Sequence, residues 1–112
     1  MQIEVKGRNV PVSDELRELV ERKFRKVAAQ VSDLSRMEVE LREERNPSIK
    51  DSQVAEVTLY LKGVTLRAEG ASGEMGHAVR VCSEELSRQV KRHRDKRRKR
   101  REARTVPPQT AM

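Results

Sequence analysis

Four stretches of the chain alternate between apolar and polar residues with a period of two. Successive side chains of a β-strand point to opposite faces, so this alternation predicts half-buried strands. The predicted strands cover residues 1–6, 36–45, 54–61 and 64–69. Lys62-Gly63 separates the last two, and because glycine tolerates the positive φ of a tight turn, this spacing predicts a β-hairpin.

A fifth stretch, after the first strand, has apolar residues spaced by three or four, which predicts an amphipathic helix. Ser13 can cap its N-terminus, Asp14 and Glu15 place favourable charge in its first turn, and Val12 is positioned as the outer half of a hydrophobic staple. The apolar stripe consists of Leu16, Leu19, Val20, Phe24, Val27, Ala28 and Val31. Such a stripe must be buried, and a sheet is the expected partner.

A second helix is predicted near the C-terminus, from the spacing of Met75, Val79, Cys82, Leu86 and Val90. The chain has no Pro or Gly between positions 78 and 103, so this helix can continue into the basic stretch, although no apolar stripe follows position 92. Residues 70–73 are predicted to form a loop before this helix. Residues 43–53, which include Asn46-Pro47-Ser48, are predicted to be a flexible connection.

The predicted order is therefore β-α-β-β-β-α, an α+β two-layer fold with a four-stranded sheet and two helices on one face. A chain of 112 residues has room for one hydrophobic core, and this core must be aliphatic because Phe24 and Tyr60 are its only aromatic residues. We expect residues 1–96 to form the folded domain. Residues 97–112 are expected to form a basic helical extension and a disordered tail or the start of a linker.

The positive charge of the chain is concentrated at one end. Residues 88–104 contain eleven Lys or Arg and only two acidic residues, a formal +9, whereas residues 1–87 carry a net −2. A concentrated cationic segment indicates a polyanionic partner. Nucleic acid is the first expectation, and an anionic membrane surface or an acidic protein is the second.

The sequence lacks the usual motifs of catalysis and metal binding, including HExxH, Cys-x-x-Cys, Gly-x-Ser-x-Gly and the P-loop. His77 and His93 are too far apart along one helix to share a metal and are expected at the surface. Cys82 lies in an apolar stripe and is expected to be a small core residue of a reduced, cytoplasmic protein. We therefore expect no enzyme activity, cofactor, metal, membrane span or small-molecule substrate.

The cationic residues of the two helices have a defined geometry. Arg80, Lys91, Arg94 and Arg98 fall on one line opposite the apolar stripe of the second helix, and Arg88 and Arg92 lie beside that line. On the first helix, the cations that point away from the apolar stripe are Arg22, Arg25 and Lys26. If both helices pack on the same side of the sheet, these residues are predicted to form one continuous basic surface for phosphate contacts.

Three segments of the chain resemble the ribosome hibernation family. This family includes hibernation-promoting factors, ribosome-associated inhibitors, protein Y and ribosomal subunit interface proteins, once called sigma-54 modulation proteins. The segments are MQIEVKGRNVPVSDELRELVERKFRKV, VAEVTLYLKGVTLRAEG and SEELSRQVKRHRDKRRK, which occur in the order and spacing of the family's β1-α1, β3-β4 and α2 regions. The resemblance covers about residues 1–101.

The resemblance implies a double-stranded-RNA-binding-like fold and a ribosomal partner. It implies that the chain binds 16S rRNA of the 30S subunit, alone or in the 70S ribosome, at the decoding centre in the channel for mRNA and tRNA. Translation would then be inhibited by steric occlusion. The RNA-binding residues carried over from the family are Arg22, Arg25, Lys26, Arg80, Arg88, Lys91, Arg92, Arg94 and Lys96.

The chain departs from the family pattern at the start of the second helix. The family commonly has an acidic-Met-Tyr-Ala-Ala-Ile-Asp run where this chain has residues 74–80, so the Tyr is lost and Arg80 replaces the Asp. Long family members add a C-terminal domain that pairs two ribosomes, and this sequence fits either a short form or the N-terminal domain of a long form. The isolated domain is expected to be a monomer that dimerises only where such a domain follows.

Two other functions remain open at the level of the sequence. The chain could be a general binding protein for double-stranded RNA or DNA, since phosphate contacts carry no sequence information. It could also be a transcription-modulating interaction module whose basic segment docks on acidic protein surfaces.

Overall fold

The computed structural model describes residues 2–31, 35–44 and 51–105 of the chain, with side chains described as far as Lys99. The elements follow one another in the predicted β-α-β-β-β-α order. They are β1 (Gln2–Arg8), α1 (Asp14–Ala28), β2 (Arg36–Glu43), β3 (Gln53–Leu61), β4 (Val64–Ser72) and α2 (Met75–Thr105). The predicted α+β fold class is confirmed.

The four strands form one mixed sheet in the order β1-β2-β3-β4. Strand β1 runs parallel to β2, and the other two pairs are antiparallel. The β3–β4 pair is the predicted hairpin: Leu61 lies opposite Val64, and Gly63 has φ +81° in the turn between them. Only glycine adopts this conformation without strain, which explains its presence there.

Both helices pack on one face of the sheet and enclose an aliphatic core around Phe24, which is fully buried. The strands contribute alternate residues to this core, as the period-two pattern predicted. Helix α1 begins as expected, because the Leu16 N–H donates a hydrogen bond to Ser13 Oγ (3.1 Å) and satisfies one of the free N–H groups of the first turn. The core residues of α2 are Ala78, Val79, Cys82, Leu86 and Val90.

The loop predicted at residues 70–73 is wrong, because β4 continues through Ser72. Gly70 pairs with Ala55 of β3 and is buried beneath α2, so this glycine permits a close approach between helix and strand and does not form a turn. Strand β1 likewise runs two residues further than predicted, to Arg8, and the chain turns at Asn9, whose φ is +60°.

Helix α2 is 31 residues long, which corresponds to roughly 46 Å at 1.5 Å per residue. Its side chains are buried in each turn as far as Val90, and those from Arg94 to Lys99 are exposed. The helix continues without interruption past the boundary predicted at residues 96 and 97, so that division stays a prediction.

Residues 106–112, the predicted tail, and residues 45–50 of the predicted connection lie outside the described residues. Neither described helix is long and apolar enough to span a bilayer.

Candidate nucleic-acid interface

A groove between the two helices brings together three cations from different parts of the chain. Lys23 and Lys26 of α1 and Arg80 of α2 line a cavity of about 220 Å³, together with Ser87 and the carboxylate of Glu84. Ser83 also lines it, but its hydroxyl is buried and donates to the Arg80 carbonyl oxygen at 2.8 Å. The groove exists because α1 and α2 pack side by side on the sheet. Ammonium, guanidinium and hydroxyl groups are the donors that proteins use for phosphate oxygens. We call this site the interhelical groove.

Lys23 was absent from the residues predicted to bind RNA. It is half-buried, next to the apolar stripe of α1, and the sequence criterion selected only cations that point directly away from that stripe. Its position three residues before Lys26 is the signal that could have found it, because residues i and i+3 are neighbours on a helix surface.

A second group of cations lies where α2 crosses the β3–β4 turn. Arg94 and Arg97 of α2 meet Lys62 of the turn around a cavity of about 230 Å³. On the other side of the helix, Arg92 and Lys96 line an open groove against Val64 and Leu66 of β4. Cations therefore flank the hairpin on both sides of α2.

Arg88 and Arg92 are engaged within α2 itself. The Arg88 guanidinium donates two hydrogen bonds to Glu85 Oε2, at 2.7 and 3.1 Å, and Arg92 Nη2 lies 3.7 Å from Glu85 Oε1. The hydrogen bonds from Arg88 and Gln89 lower the pKa of the Glu85 carboxyl. Both arginines remain largely exposed, and surface ion pairs of this kind contribute about 0–1 kcal/mol. A phosphate can therefore replace Glu85 as their partner at little cost.

The predicted cations of α2 lie on two sides of that helix, and the single continuous surface that the helical spacing indicated stays a prediction. Because the apolar stripe of α2 faces the sheet, the residues beside it divide between the side of α1 and the side of β4. Arg80 and Arg94 belong to the α1 side, and Arg92 and Lys96 to the β4 side. The other predicted residues, exposed and outside the linings of these cavities, are Arg22, Arg25, Arg88 and Lys91.

The outer face of the sheet, opposite the helices, has a balanced charge distribution with extensive internal pairing. Arg42 contacts the carboxylates of Glu44, Glu56 and Glu69 at 3.1, 3.6 and 3.4 Å. The Arg36 guanidinium carbon lies 4.4 Å from the centre of the Tyr60 ring. Excess cationic charge is therefore a property of the helical side.

No group of three or more potential metal ligands comes together among the described residues. Cys82 is fully buried in the core, and this burial raises the pKa of its thiol to about 12. An ionised thiolate is the reactive form of cysteine, so Cys82 has the properties of a packing residue.

The chain is similar to proteins named for a role at the ribosome. It is 31% identical over 96 residues to the ribosome hibernation promoting factor of Salmonella typhimurium, an alignment covering 86% of this chain and 96% of that protein. It is 27% identical over 97 residues to the ribosome hibernation promotion factor of a Picosynechococcus species, which also covers 86% of this chain. The matched region is 50% of the latter protein, so the chain spans about half the length of that relative.

Solved structures share the fold. A ribosomal subunit interface protein from Coxiella burnetii superposes with a TM-score of 0.73 at 21% identity, covering 85% of this chain and 99% of that one. The N-terminal domain of Thermus thermophilus Protein Y superposes with a TM-score of 0.70 at 26% identity, covering 83% and 99%. Residues 3–98 match the family described as sigma 54 modulation protein / S30EA ribosomal protein. This match extends over most of the 112 residues, and the chain belongs to that family.

Proposed function

We propose that this chain is a ribosome hibernation factor that binds the small (30S) subunit and inhibits translation. In this proposal it occupies the decoding centre, in the channel for mRNA and tRNA, through phosphate contacts to 16S rRNA. The names of its relatives, which are ribosome hibernation factors, support the ribosomal partner. Family membership supports the same assignment.

The observation that carries the proposal is the separation of charge between the two faces of the domain. On the helical side, the cations of the interhelical groove and of the β3–β4 turn outnumber the nearby carboxylates, of which Glu84 lies 3.9 Å from Arg80. On the opposite face, Arg42 contacts three carboxylates. An RNA backbone is attracted to the first face and gains little from the second. The helices are therefore the proposed binding side.

In the proposed mechanism the domain blocks the channel by its bulk, and the cationic side chains of its helices hold it there through phosphate contacts. With one Tyr and one Phe, of which Phe24 is fully buried, the domain cannot form an aromatic platform for stacking bases. Contacts to phosphates fix the position and orientation of a protein on RNA without reading its sequence. Specificity for the channel would come from the shape of the folded rRNA, into which two helices fit side by side.

Cosedimentation with purified 30S and 70S particles tests the proposal. The Lys26→Glu/Arg80→Glu variant, which reverses charge in the interhelical groove, should bind at least about tenfold more weakly, since charge-assisted hydrogen bonds contribute about 1.5–3 kcal/mol each. The matched control is Lys6→Glu/Arg67→Glu on the outer face of the sheet, which should bind as the unaltered chain does. Bound protein should also reduce mRNA binding to 30S particles.

Failure of the unaltered chain to pellet with 30S or 70S particles at moderate salt would contradict the proposal. Equal affinity for an arbitrary RNA duplex and for the ribosome would instead favour a general double-stranded nucleic-acid binder, which the phosphate-type contacts also permit. Unchanged ribosome binding by the groove variant would favour an interaction module that uses another surface.

A further inference from the structure

A pocket distinct from the interhelical groove lies where four parts of the chain meet. The segment after α1, the residue before β2, the β3–β4 turn and the middle of α2 together enclose about 230 Å³. We call it the turn pocket. Pockets for drug-sized ligands measure about 300–1,000 Å³, so the turn pocket has room for a group the size of one nucleobase and not for an RNA duplex.

The wall and the rim of the turn pocket differ in chemistry. Val31 and Leu61 contribute half-buried apolar side chains that pack on the hydrophobic core. Val90 also lines the pocket, but it is a core residue that is only 1% exposed. The interhelical groove, in contrast, has one apolar lining residue, Val27, and includes the carboxylate of Glu84. The turn pocket therefore offers an apolar surface that the other site lacks.

Three cations surround this apolar wall. Lys62 extends from the turn, and Arg94 and Arg97 project from consecutive turns of α2. A bound phosphate would neutralise this concentration of positive charge, whereas a neutral apolar ligand would leave it unchanged. The combination matches a ligand with one anionic group and one flat, weakly polar group, which is the chemistry of a nucleotide. Arginine guanidinium planes can also stack on unpaired bases where aromatic side chains are absent.

We propose that the turn pocket binds one unpaired nucleotide of the RNA. Its base lies against the half-buried side chains of Val31 and Leu61, and its phosphate is held by Lys62, Arg94 and Arg97. This assignment rests on the proposed function and deepens it, since it adds a site for single-stranded RNA to the phosphate contacts along the helices. Unpaired nucleotides are the elements of folded RNA that single protein pockets recognise.

NMR titration of the labelled full chain with adenosine monophosphate, and separately with inorganic phosphate, tests the assignment. Adenosine monophosphate should shift the amide signals of Val31, Lys62, Gly63 and His93, at lower concentration than phosphate does. The Lys62→Glu variant should weaken this binding about tenfold, as expected for loss of a charge-assisted contact. Lys62 is exposed in a turn, so the substitution leaves the core intact, and Lys6→Glu on β1 is the matched control.

Shifts confined to the interhelical groove, or equal affinity for phosphate and for the nucleotide, would overturn the assignment. A measurement of binding to 30S particles distinguishes failure of the turn pocket assignment from failure of the proposed function. If the unaltered chain and Lys62→Glu bind 30S equally well, the turn pocket assignment fails and the proposed function stands. If the unaltered chain fails to bind 30S, the proposed function fails, and the nucleotide titration still decides whether the pocket accepts a nucleotide.

Discussion

Gly70 of β4 and Cys82 of α2 are in direct backbone contact. A methyl group at position 70 would lie 2.5 Å from the backbone nitrogen of Cys82 and 3.0 Å from its Cα. The thiol of Cys82 in turn donates to the carbonyl oxygen of Ala68 on the same strand, at 3.5 Å. This contact brings the first half of α2 close to β4, and the same helix carries the cations that lie over the hairpin.

Replacing Gly70 with Ala should destabilise the protein by about 3 kcal/mol, because a helix backbone cannot move aside for the added methyl group and overpacking costs about 1–3 kcal/mol. Urea denaturation followed by far-UV circular dichroism measures this change. Ala71→Ser, at the next residue of the strand, changes an exposed side chain and should remain within about 0.5 kcal/mol of the unaltered protein. A similarly small effect at Gly70 would contradict the close contact.

The Cys82 thiol should be inert in the folded protein. Because burial raises its pKa from 9.0 to about 12, the native thiolate fraction at pH 8 is roughly a thousandfold lower than in the unfolded chain. Alkylation by iodoacetamide at pH 8 should be slower by at least this factor than in concentrated urea. Mass spectrometry of quenched samples measures both rates.

The raised pKa of Cys82 also predicts the direction in which the free energy of unfolding changes with pH. Above pH 9 the thiol of the unfolded chain ionises, whereas the buried thiol of the folded protein stays protonated until the pH approaches 12. The free energy of unfolding contributed by Cys82 is therefore complete below pH 9 and is lost as the pH rises towards 12. The unfolding free energy of the unaltered protein should therefore fall more between pH 8 and pH 10.5 than that of Cys82→Ala. Parallel losses in the two proteins would indicate that the thiol ionises freely in the native state.

Arg42 should stabilise the sheet most at neutral pH. Burial alone would lower its pKa, but the hydrogen bond to Glu44 and the charges of Glu69 and Glu56 outweigh this effect and raise it. Arg42→Met leaves three carboxylates without their shared cation and should cost about 1 kcal/mol at pH 7. Since the guanidinium stays charged at neutral pH and below, the cost should shrink only in acid, where carboxylates as a class lose their charge.

Chemical denaturation of Arg42→Met at pH 7 and at pH 3 measures this difference. Arg67→Met is the control, because Arg67 is exposed on β4. An equal loss at both pH values would assign the effect of Arg42→Met to packing of the aliphatic stem and not to charge.

Salt dependence should report the number of phosphate contacts made by the interhelical groove. Each phosphate neutralised by Lys or Arg contributes close to one to the slope of log affinity against log salt. Lys26→Ala/Arg80→Ala should therefore reduce the slope for 30S binding by about 2. Lys6→Ala/Arg67→Ala, on the opposite face, should leave the slope unchanged, and an equal change in both variants would argue against a directional interface.

The strands and helices could be predicted wherever a single local feature of the sequence determined them. The alternation of apolar and polar residues predicted the strands, the spacing of Val79, Cys82 and Leu86 predicted α2, and Ser13 predicted the start of α1. The error at residues 70–73 arose because glycine has two uses. It allows a tight turn, as at Gly63, and it allows two backbones to approach closely, as at Gly70, and only the position of α2 distinguishes them.

The candidate site was only partly predictable. The sequence indicated that the helices carry the cations, but not that Lys23 would join Arg80, or that Lys62 would join Arg94. Residues from separate elements become neighbours through packing, and no spacing along the chain records that contact. The division of α2 cations between two sides has the same cause, since the direction of α1 and β4 from the helix is a tertiary property.

By itself, the sequence determined the order of strands and helices and the separation of charge along the chain, because periodicity and composition are local properties. Tertiary structure decided which cations share a cavity and where an apolar wall lies beside them. These depend on the register of the sheet and on the close contact between Gly70 and Cys82, which fix the geometry among distant residues.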